Sequence, residues 1–304
     1  MLIRHLSYFV TLAREKHYAR AAQACNIAQP TLSAAIRKLE DDLQVHLVVR
    51  GHRFVGLTAD GEKVLEWGQR ILADYASLKE GLSGSHRGLT GALRLGVIPA
   101  AMPAVSLLTT RFSAAHPVVS IDIQSMTSRA IQHGVDSFEI DAGLTYLDNE
   151  PLENVRRLPL YRERYVFITR RGARYAERST IRWAEAVQER LCLLSEDMQN
   201  RRIINRIAAS AGLGIDAAVA SNSFLAIWSH LALGGWSSIV PHTFSHVFGR
   251  RADLVTLELI DPVESNAIGL VLPDRDPLSP IAAALMSIAL KVDFEEGLAG
   301  DGRS

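Results

Sequence analysis

Cysteine is nearly absent from this chain of 304 residues: only Cys25 and Cys192 occur, far apart, with no C-x-x-C spacing or Cys/His cluster beside either. That excludes a disulfide framework and a zinc site of ordinary ligand spacing, and leaves both thiols with packing as their default role and a redox switch as the alternative. Long apolar runs are missing too. No stretch approaches the roughly 20 residues that cross a bilayer. The N-terminal segment MLIRHLSYFVTLAREK has no signal-peptide cleavage pattern, so the expectation is a cytosolic, cytoplasmic chain with no membrane partner. Enzyme fingerprints are lacking as well. Gly212-Leu213-Gly214 has no third glycine and follows a helical rather than a strand pattern, and there is no G-x-S-x-G elbow, H-E-x-x-H or P-loop. No catalytic residue, metal or cofactor is predicted.

Charge of one sign is also lacking, since 33 Lys and Arg balance 33 Asp and Glu. The zero hides an asymmetry. Residues 1–58 carry eight basic side chains against four acidic ones, so only this part bears the electrostatic footprint of a phosphate-binding surface. A hydrophobic content of 48% with 22% charged residues excludes disorder, and the length has room for two or three domains.

Within the basic part, Tyr18 to Leu39 reads as a helix-turn-helix. A first helix covers Tyr18 to Cys25, a tight turn falls at Asn26, and a second helix opens at Gln29-Pro30-Thr31. Ala21 and Ala22 keep the inner face small so the helices can cross closely. Asn26 tolerates positive φ, and Pro30 falls in a first helical turn, where its missing N–H has no partner to lose. Leu32, Ala35, Ile36 and Leu39 recur at helical spacing and bury one face. The other face carries Thr31, Ser33, Ala34, Arg37 and Lys38, hydroxyls and cations suited to a major groove. An amphipathic helix pair in any core would look similar, but the adjoining segment separates the two readings. Leu47 to Thr58 is a basic β-hairpin wing bearing Arg50 and Arg53, and Thr58 can cap another helix. Before the motif, Ile3 to Ala13 forms a one-faced helix that would pack beneath it.

This order of helix, helix-turn-helix, wing and long helix resembles the LysR-type transcriptional regulators. The matches are Ala21-Ala22, Gln29-Pro30-Thr31-Leu32-Ser33, Ile36-Leu39-Glu40, Leu47 with Arg50, and Leu57-Thr58 with Gly61; Val48 and Asp60 depart from the usual Phe and Ala. The resemblance implies an N-terminal all-α winged helix-turn-helix followed by an α/β effector domain of two Rossmann-like sub-domains, similar to periplasmic binding proteins. It also implies double-stranded promoter DNA and a small-molecule effector as partners, a homo-oligomer that is a dimer of dimers, and RNA polymerase as a further contact. The residues expected at DNA are Gln29, Pro30, Thr31, Ser33, Arg37, Arg50 and Arg53.

Residues 59–82 read as one long helix with Val64, Gly68, Ile71, Tyr75, Leu78 and Leu82 at coiled-coil spacing, a dimerising seam in which Gly68 lets two helices approach. Ser83 to Gly91, with three glycines and two serines, reads as a hinge. The domains expected are 1–58 for DNA binding, 59–90 for linker and hinge, and 91–294 for regulation. Sub-domain I takes about 91–162 and 267–294, and sub-domain II about 163–266. Strand and helix patterns alternate from Ala92 to Val292, which predicts a mostly parallel sheet covered on both sides; the tail from Gly297 is glycine-rich and reads as frayed.

Ligands of such sheets sit beyond the carboxyl ends of strands, at helix N-termini. The effector-binding residues expected there are Pro99, Ala100, Ala101, Met102, Ser125, Thr127 and Tyr146, facing Met198, Gln199, Asn200 and Phe224. Ser125, Thr127 and Ser223 have helix capping as their alternative role. Arg129 and Arg201 are candidate counter-charges for an effector carboxylate, or else surface charges. The segments SEDMQNRR and VPHTF resemble those of LysR regulators encoded beside formate dehydrogenase genes, which points to formate. Two other classes compete with the regulator: a cytosolic α/β enzyme, and a solute-binding protein with a fused DNA-binding module.

Overall fold

Apolar residues at three- and four-residue spacing fold the first unit, Met1–Gly88, into four helices: α1 (Leu2–Glu15), α2 (Tyr18–Ala24), α3 (Gln29–Leu43) and α4 (Ala59–Arg87). The second unit holds the bulk of the chain from Leu89. In this computed structural model, residues 2–49, 53–175, 177–249 and 251–298 are described.

Leu6, Phe9 and Leu12 of α1, Ala21 and Ala22 of α2, Leu32, Ile36 and Leu39 of α3, and Leu47 and Val48 form one buried cluster. Asn26 adopts φ 54°, the left-handed conformation its tight turn needs. Val48 bridges Leu57 in antiparallel sense, and the Thr58 N–H donates to the Leu47 carbonyl at 3.0 Å, so the limbs of the wing pair. The tip residues Arg50, Gly51 and His52 lie outside the described residues. Glu40 anchors the base of the wing: its Oε1 accepts the N–H groups of Leu47 at 2.7 Å and Val48 at 3.2 Å. Thr58 Oγ1 donates to the His46 carbonyl at 2.5 Å and accepts from the Gly61 N–H at 2.9 Å. A Cβ on Gly61 would stand 2.1 Å from the Leu47 carbonyl oxygen, so this position needs glycine. The signature residues Glu40, Thr58 and Gly61 are thus the parts that fix the wing to the helices.

Helix α4 departs from its expected face. Val64, Leu65 and Leu72 pack against the cluster of their own unit, and a Cβ on Gly68 would stand 2.9 Å from Leu6 Cδ1. Gly68 therefore admits α1 rather than a second copy of α4, and the seam loses Val64 and Gly68 because α1 already covers that side. The exposed apolar stripe is Trp67, Ile71, Tyr75, Leu78 and Leu82. The expected hinge from Ser83 is also displaced: the backbone stays helical to Arg87, and the break comes at Gly88, with φ 75°. Serines and a glycine cost about 0.5–1 kcal/mol each in a helix, too little to end one.

The second unit begins β1 (Gly91–Val97), a 3-10 turn at Pro99–Ala101, α5 (Met102–Ala115), β2 (Val119–Ser125), α6 (Ser128–Asp136) and β3 (Ala142–Tyr146). The long β4 (Val155–Arg170) leads to β5 (Thr180–Arg182), α7 (Trp183–Ala186), β6 (Leu191–Leu194), α8 (Gln199–Ser210), β7 (Ala217–Ser221) and α9 (Phe224–Leu233). Then come β8 (Ser238–Pro241), α10 (Phe244–Phe248), β9 (Leu254–Ile260), β10 (Ser265–Pro273), α11 (Pro280–Ala289) and α12 (Phe294–Leu298). β5, β9 and the first half of β4 are strands beyond those predicted. At the C-terminus Leu298 is buried, and a Cβ on Gly297 would meet Leu107 of α5, so the expected fraying does not begin at Gly297.

The sheet runs β2-β1-β3-β10-β4-β9-β5 with β8 also on β4, and β6 and β7 form a separate pair. β1 is parallel to β2 and β3, but β10 is antiparallel to β3 and β4, and β4 is antiparallel to β8 and β9. The sheet is mixed rather than mostly parallel, because β4 carries the chain out of one lobe and β10 brings it back. β4 pairs with β10 up to Arg164 and with β8 and β9 from Tyr165 onward. Opposite the step from Ile268 to Gly269, Leu160 is an extra residue in β4, next to Pro159, a residue that strands tolerate at such bulges.

Candidate functional site

In the first unit the groove-facing set lies on the free side of α3. Gln29, Pro30, Thr31 and Arg37 are exposed and Ser33 is half-buried, while Leu32, Ala35, Ile36 and Leu39 face inward. The start of α3 has no side-chain cap at Ala28, so its first N–H groups are open to a phosphate oxygen. Lys38 is held by Asp42 at 2.8 Å, whereas Arg37 and Arg53 make no ion pair among the described residues. Tyr18 meets Phe54 edge-on at 6.4 Å between centroids and fixes the wing beside α2.

In the second unit a cleft of about 660 Å³ opens between the lobes. Pro99, Ala100, Met102, Pro103, Ser125, Met126 and Thr127 line it from the first lobe, and Asp197, Met198, Asn222, Phe224, Leu225, Thr243, Phe244 and Val247 from the second. Seven of the expected effector residues are brought together here: Pro99, Ala100, Met102, Ser125, Thr127, Met198 and Phe224. Ala101 is not among them, because its methyl is fully buried in the core beneath the 3-10 turn. Tyr146, Gln199 and Asn200 instead back a separate cavity of about 10 Å³ that adjoins the cleft through Pro99, Ala100, Thr127 and Met198. Leu225, Val247 and the buried Thr243 and Phe244 lie outside the expectation; α10 is one short turn with too few residues to show a period.

Two hydroxyls also serve as caps. Thr127 Oγ1 accepts the Ala130 N–H at 3.1 Å, and Ser223 Oγ accepts the Leu225 N–H at 3.3 Å. Neither candidate counter-charge reaches the cleft. Arg129 is exposed and lines no part of it. Arg201 is buried, and its guanidinium donates to Asn205 Oδ1 and to the carbonyls of Leu194 and Ile215, tying α8 to β6. Among the described residues the only charged side chain lining the cleft is the exposed Asp197.

Behind the cleft lies a polar cluster absent from the sequence-based expectation. The Tyr146 hydroxyl donates to Glu163 Oε1 at 2.5 Å, accepts from Asn200 Nδ2 at 2.9 Å and stands 3.4 Å from the Tyr165 hydroxyl. Glu163 is fully buried, and its Oε2 has no hydrogen-bond partner. Burial pushes its carboxyl up to about 8, against the opposing hydrogen bond from Tyr146. A signal for it existed: Tyr161, Glu163, Tyr165 and Phe167 alternate with Arg162, Arg164 and Val166, which puts Glu163 on the inward face of a strand.

A winged helix-turn-helix followed in the chain by a two-lobed α/β unit with an interlobe cleft is the build of a DNA-binding transcriptional regulator with an effector domain. Residues 3–62 match the bacterial regulatory helix-turn-helix proteins of the lysR family, and residues 86–293 match the LysR substrate binding domain. The chain belongs to the LysR family of transcriptional regulators, and it is a regulator rather than an enzyme. It is 28% identical over 283 residues to the DNA-binding transcriptional dual regulator OxyR of Escherichia coli K12, with 91% of each chain covered. It is 30% identical over 301 residues to the SDS degradation transcriptional activation protein of a Pseudomonas species, with 96% of each covered. Among solved structures, full-length OxyR from Pseudomonas aeruginosa superposes with a TM-score of 0.76 at 23% identity, covering 96% of this chain and 98% of that one. CbnR in complex with its target DNA gives 0.65 at 21% identity, covering 96% and 99%. A Corynebacterium glutamicum OxyR mutant with hydrogen peroxide bound gives 0.60 at 26%, covering 98% and 94%.

Proposed function

We propose that this regulator docks α3 in the major groove of promoter DNA, with the wing on the adjacent backbone, as a homo-oligomer whose binding is set by a small molecule in the interlobe cleft. The observation that carries this reading is the division of α3: its inward face is fully apolar, and its outward face presents Gln29, Thr31 and Arg37 beside an uncapped helix start. A dimer of dimers fits the two-fold symmetry of paired half-sites. The test is a gel shift on the chain's own upstream DNA. Arg37→Ala is expected to cost about 1–3 kcal/mol and relax preference at one base pair, and Arg53→Ala to weaken all sequences and lower the salt slope by about 1. Unchanged affinity in both variants at moderate salt would overturn the docking.

Relatives named as hydrogen peroxide-inducible genes activators suggest a thiol sensor as a second reading. Such a sensor needs an accessible thiolate of low pKa. The only cysteine of the second unit, Cys192 in β6, is fully buried, and burial pushes its thiol up to about 11. A modest excess of hydrogen peroxide should therefore leave operator affinity unchanged and Cys192 as a free thiol by mass spectrometry. Oxidised Cys192 together with altered DNA binding would reinstate the sensor. Formate or another small carboxylate, the ligand suggested by SEDMQNRR and VPHTF, is left with helix N-termini as its only support, since no cation lines the cleft among the described residues.

A further inference from the structure

The cleft is large, lined by adaptable side chains and almost without charge. A volume of about 660 Å³ lies within the range of roughly 300–1,000 Å³ typical of sites that enclose a whole organic molecule. A formate ion would leave most of it filled with water. Met102, Met126 and Met198, three of the chain's five methionines, line it with Phe224 and Phe244. Thioether chains adapt to apolar ligands of varied outline. At the mouth, Leu225 is 67% and Val247 56% exposed, apolar surface that a bound hydrocarbon would cover. The hydrogen-bonding side chains on its lining are neutral: Ser125, Thr127 and Asn222. A hydroxyl or amide head group can pair with them. A charged head group of either sign would be moved out of water with no ion to pair with, among the described residues, except Asp197, which stays in solvent.

We infer that the effector is an uncharged amphiphile with a medium-length apolar body and a hydrogen-bonding head, and not a small anion. This inference rests on the cleft being the effector site, as proposed above. The test is titration calorimetry on the full-length protein with a matched set of probes: 1-butanol, 1-hexanol, 1-octanol, octanamide, octanoate, octylammonium and formate, each below its aggregation limit. The same probes are then applied to the protein bound to its upstream DNA. Affinity is expected to rise about fourfold for each added methylene along the alcohols. Octanol and octanamide should bind at least tenfold more tightly than octanoate or octylammonium, and formate should give no binding. Val247→Asp, at the exposed mouth, should weaken octanol binding at least tenfold. Tightest binding by octanoate, octylammonium or formate would overturn the inference, as would an absence of chain-length dependence or of any binding. Normal ligand binding without selective DNA binding would instead overturn the regulator reading and leave the ligand class standing.

Discussion

Replacing Leu78 and Leu82 together by Asp should turn the protein into a monomer and weaken operator binding by at least a hundredfold. Trp67, Ile71, Tyr75, Leu78 and Leu82 follow one another at spacings of four, four, three and four, and they leave 42–71% of each side chain exposed. The same stripe on a second copy provides apolar contacts of matching period. Two carboxylates in that seam would be buried unpaired, at a cost of roughly several kcal/mol. A monomer also loses the second half-site, whose local concentration in the dimer is in the millimolar range, and this is the source of the expected fall in affinity. Both positions are on the surface of the isolated chain, so helix content by circular dichroism should not change. Light scattering that still reports the wild-type mass would sink the seam.

The second large effect concerns pH. Glu163 has its carboxyl raised from an ordinary 4.5 to about 8 in the folded protein, chiefly by burial. Between those values the native state holds a proton that the unfolded chain has released, so this group's contribution to stability is greatest below about 4.5 and is lost as pH rises through 8. The decline approaches about 1.4 kcal/mol per pH unit and totals on the order of 5 kcal/mol. Glu163→Gln keeps the shape and removes the titration. Its stability relative to wild type should therefore improve steadily from pH 5 to pH 8. Tyr146, Tyr161 and Tyr165 face the same carboxyl, and each is held protonated by burial and by Glu163 itself, so none contributes a slope in that window. Thermal melts followed by tryptophan fluorescence report on this unit, which holds Trp183, Trp228 and Trp236. A mutant-to-wild-type difference that stays flat across the range would show that Glu163 ionises normally.

How much of the fold is legible in the sequence depends on how local each feature is. The helix-turn-helix is readable because Asn26, Pro30 and the spacing of Leu32, Ile36 and Leu39 each constrain their own neighbourhood. The face of α4 is only half readable: a seven-residue period shows that a stripe exists, but not that α1 takes Gly68 for itself. In the cleft, the loops that end strands at Pro99 and Ser125 and the start of α8 at Met198 are where the residue pattern puts them. Tyr146, Gln199 and Asn200 are not, because a polar residue near a strand end looks alike whether it faces ligand or a buried carboxyl. Glu163 is easily passed over because Arg162-Glu163-Arg164 reads as a solvated charge run, although strand alternation turns only the middle residue inward.

The continuity of β4 through both lobes has a mechanical meaning. Two adjacent antiparallel strands, stitched by ladder hydrogen bonds from Val155 to Arg164, form a ribbon rather than a loose tether. That ladder belongs to the first lobe's own sheet, and β4 continues past Arg164 to pair with β8 and β9 in the second lobe, so one unbroken strand is shared by both. The ribbon is softest at Leu160, where one residue is supernumerary and Pro159 has no N–H to give. Twisting about a strand that is a ladder member on both sides of the boundary costs no ladder hydrogen bond, so the displacement that β4 accommodates is counted in degrees rather than in ångströms of opening.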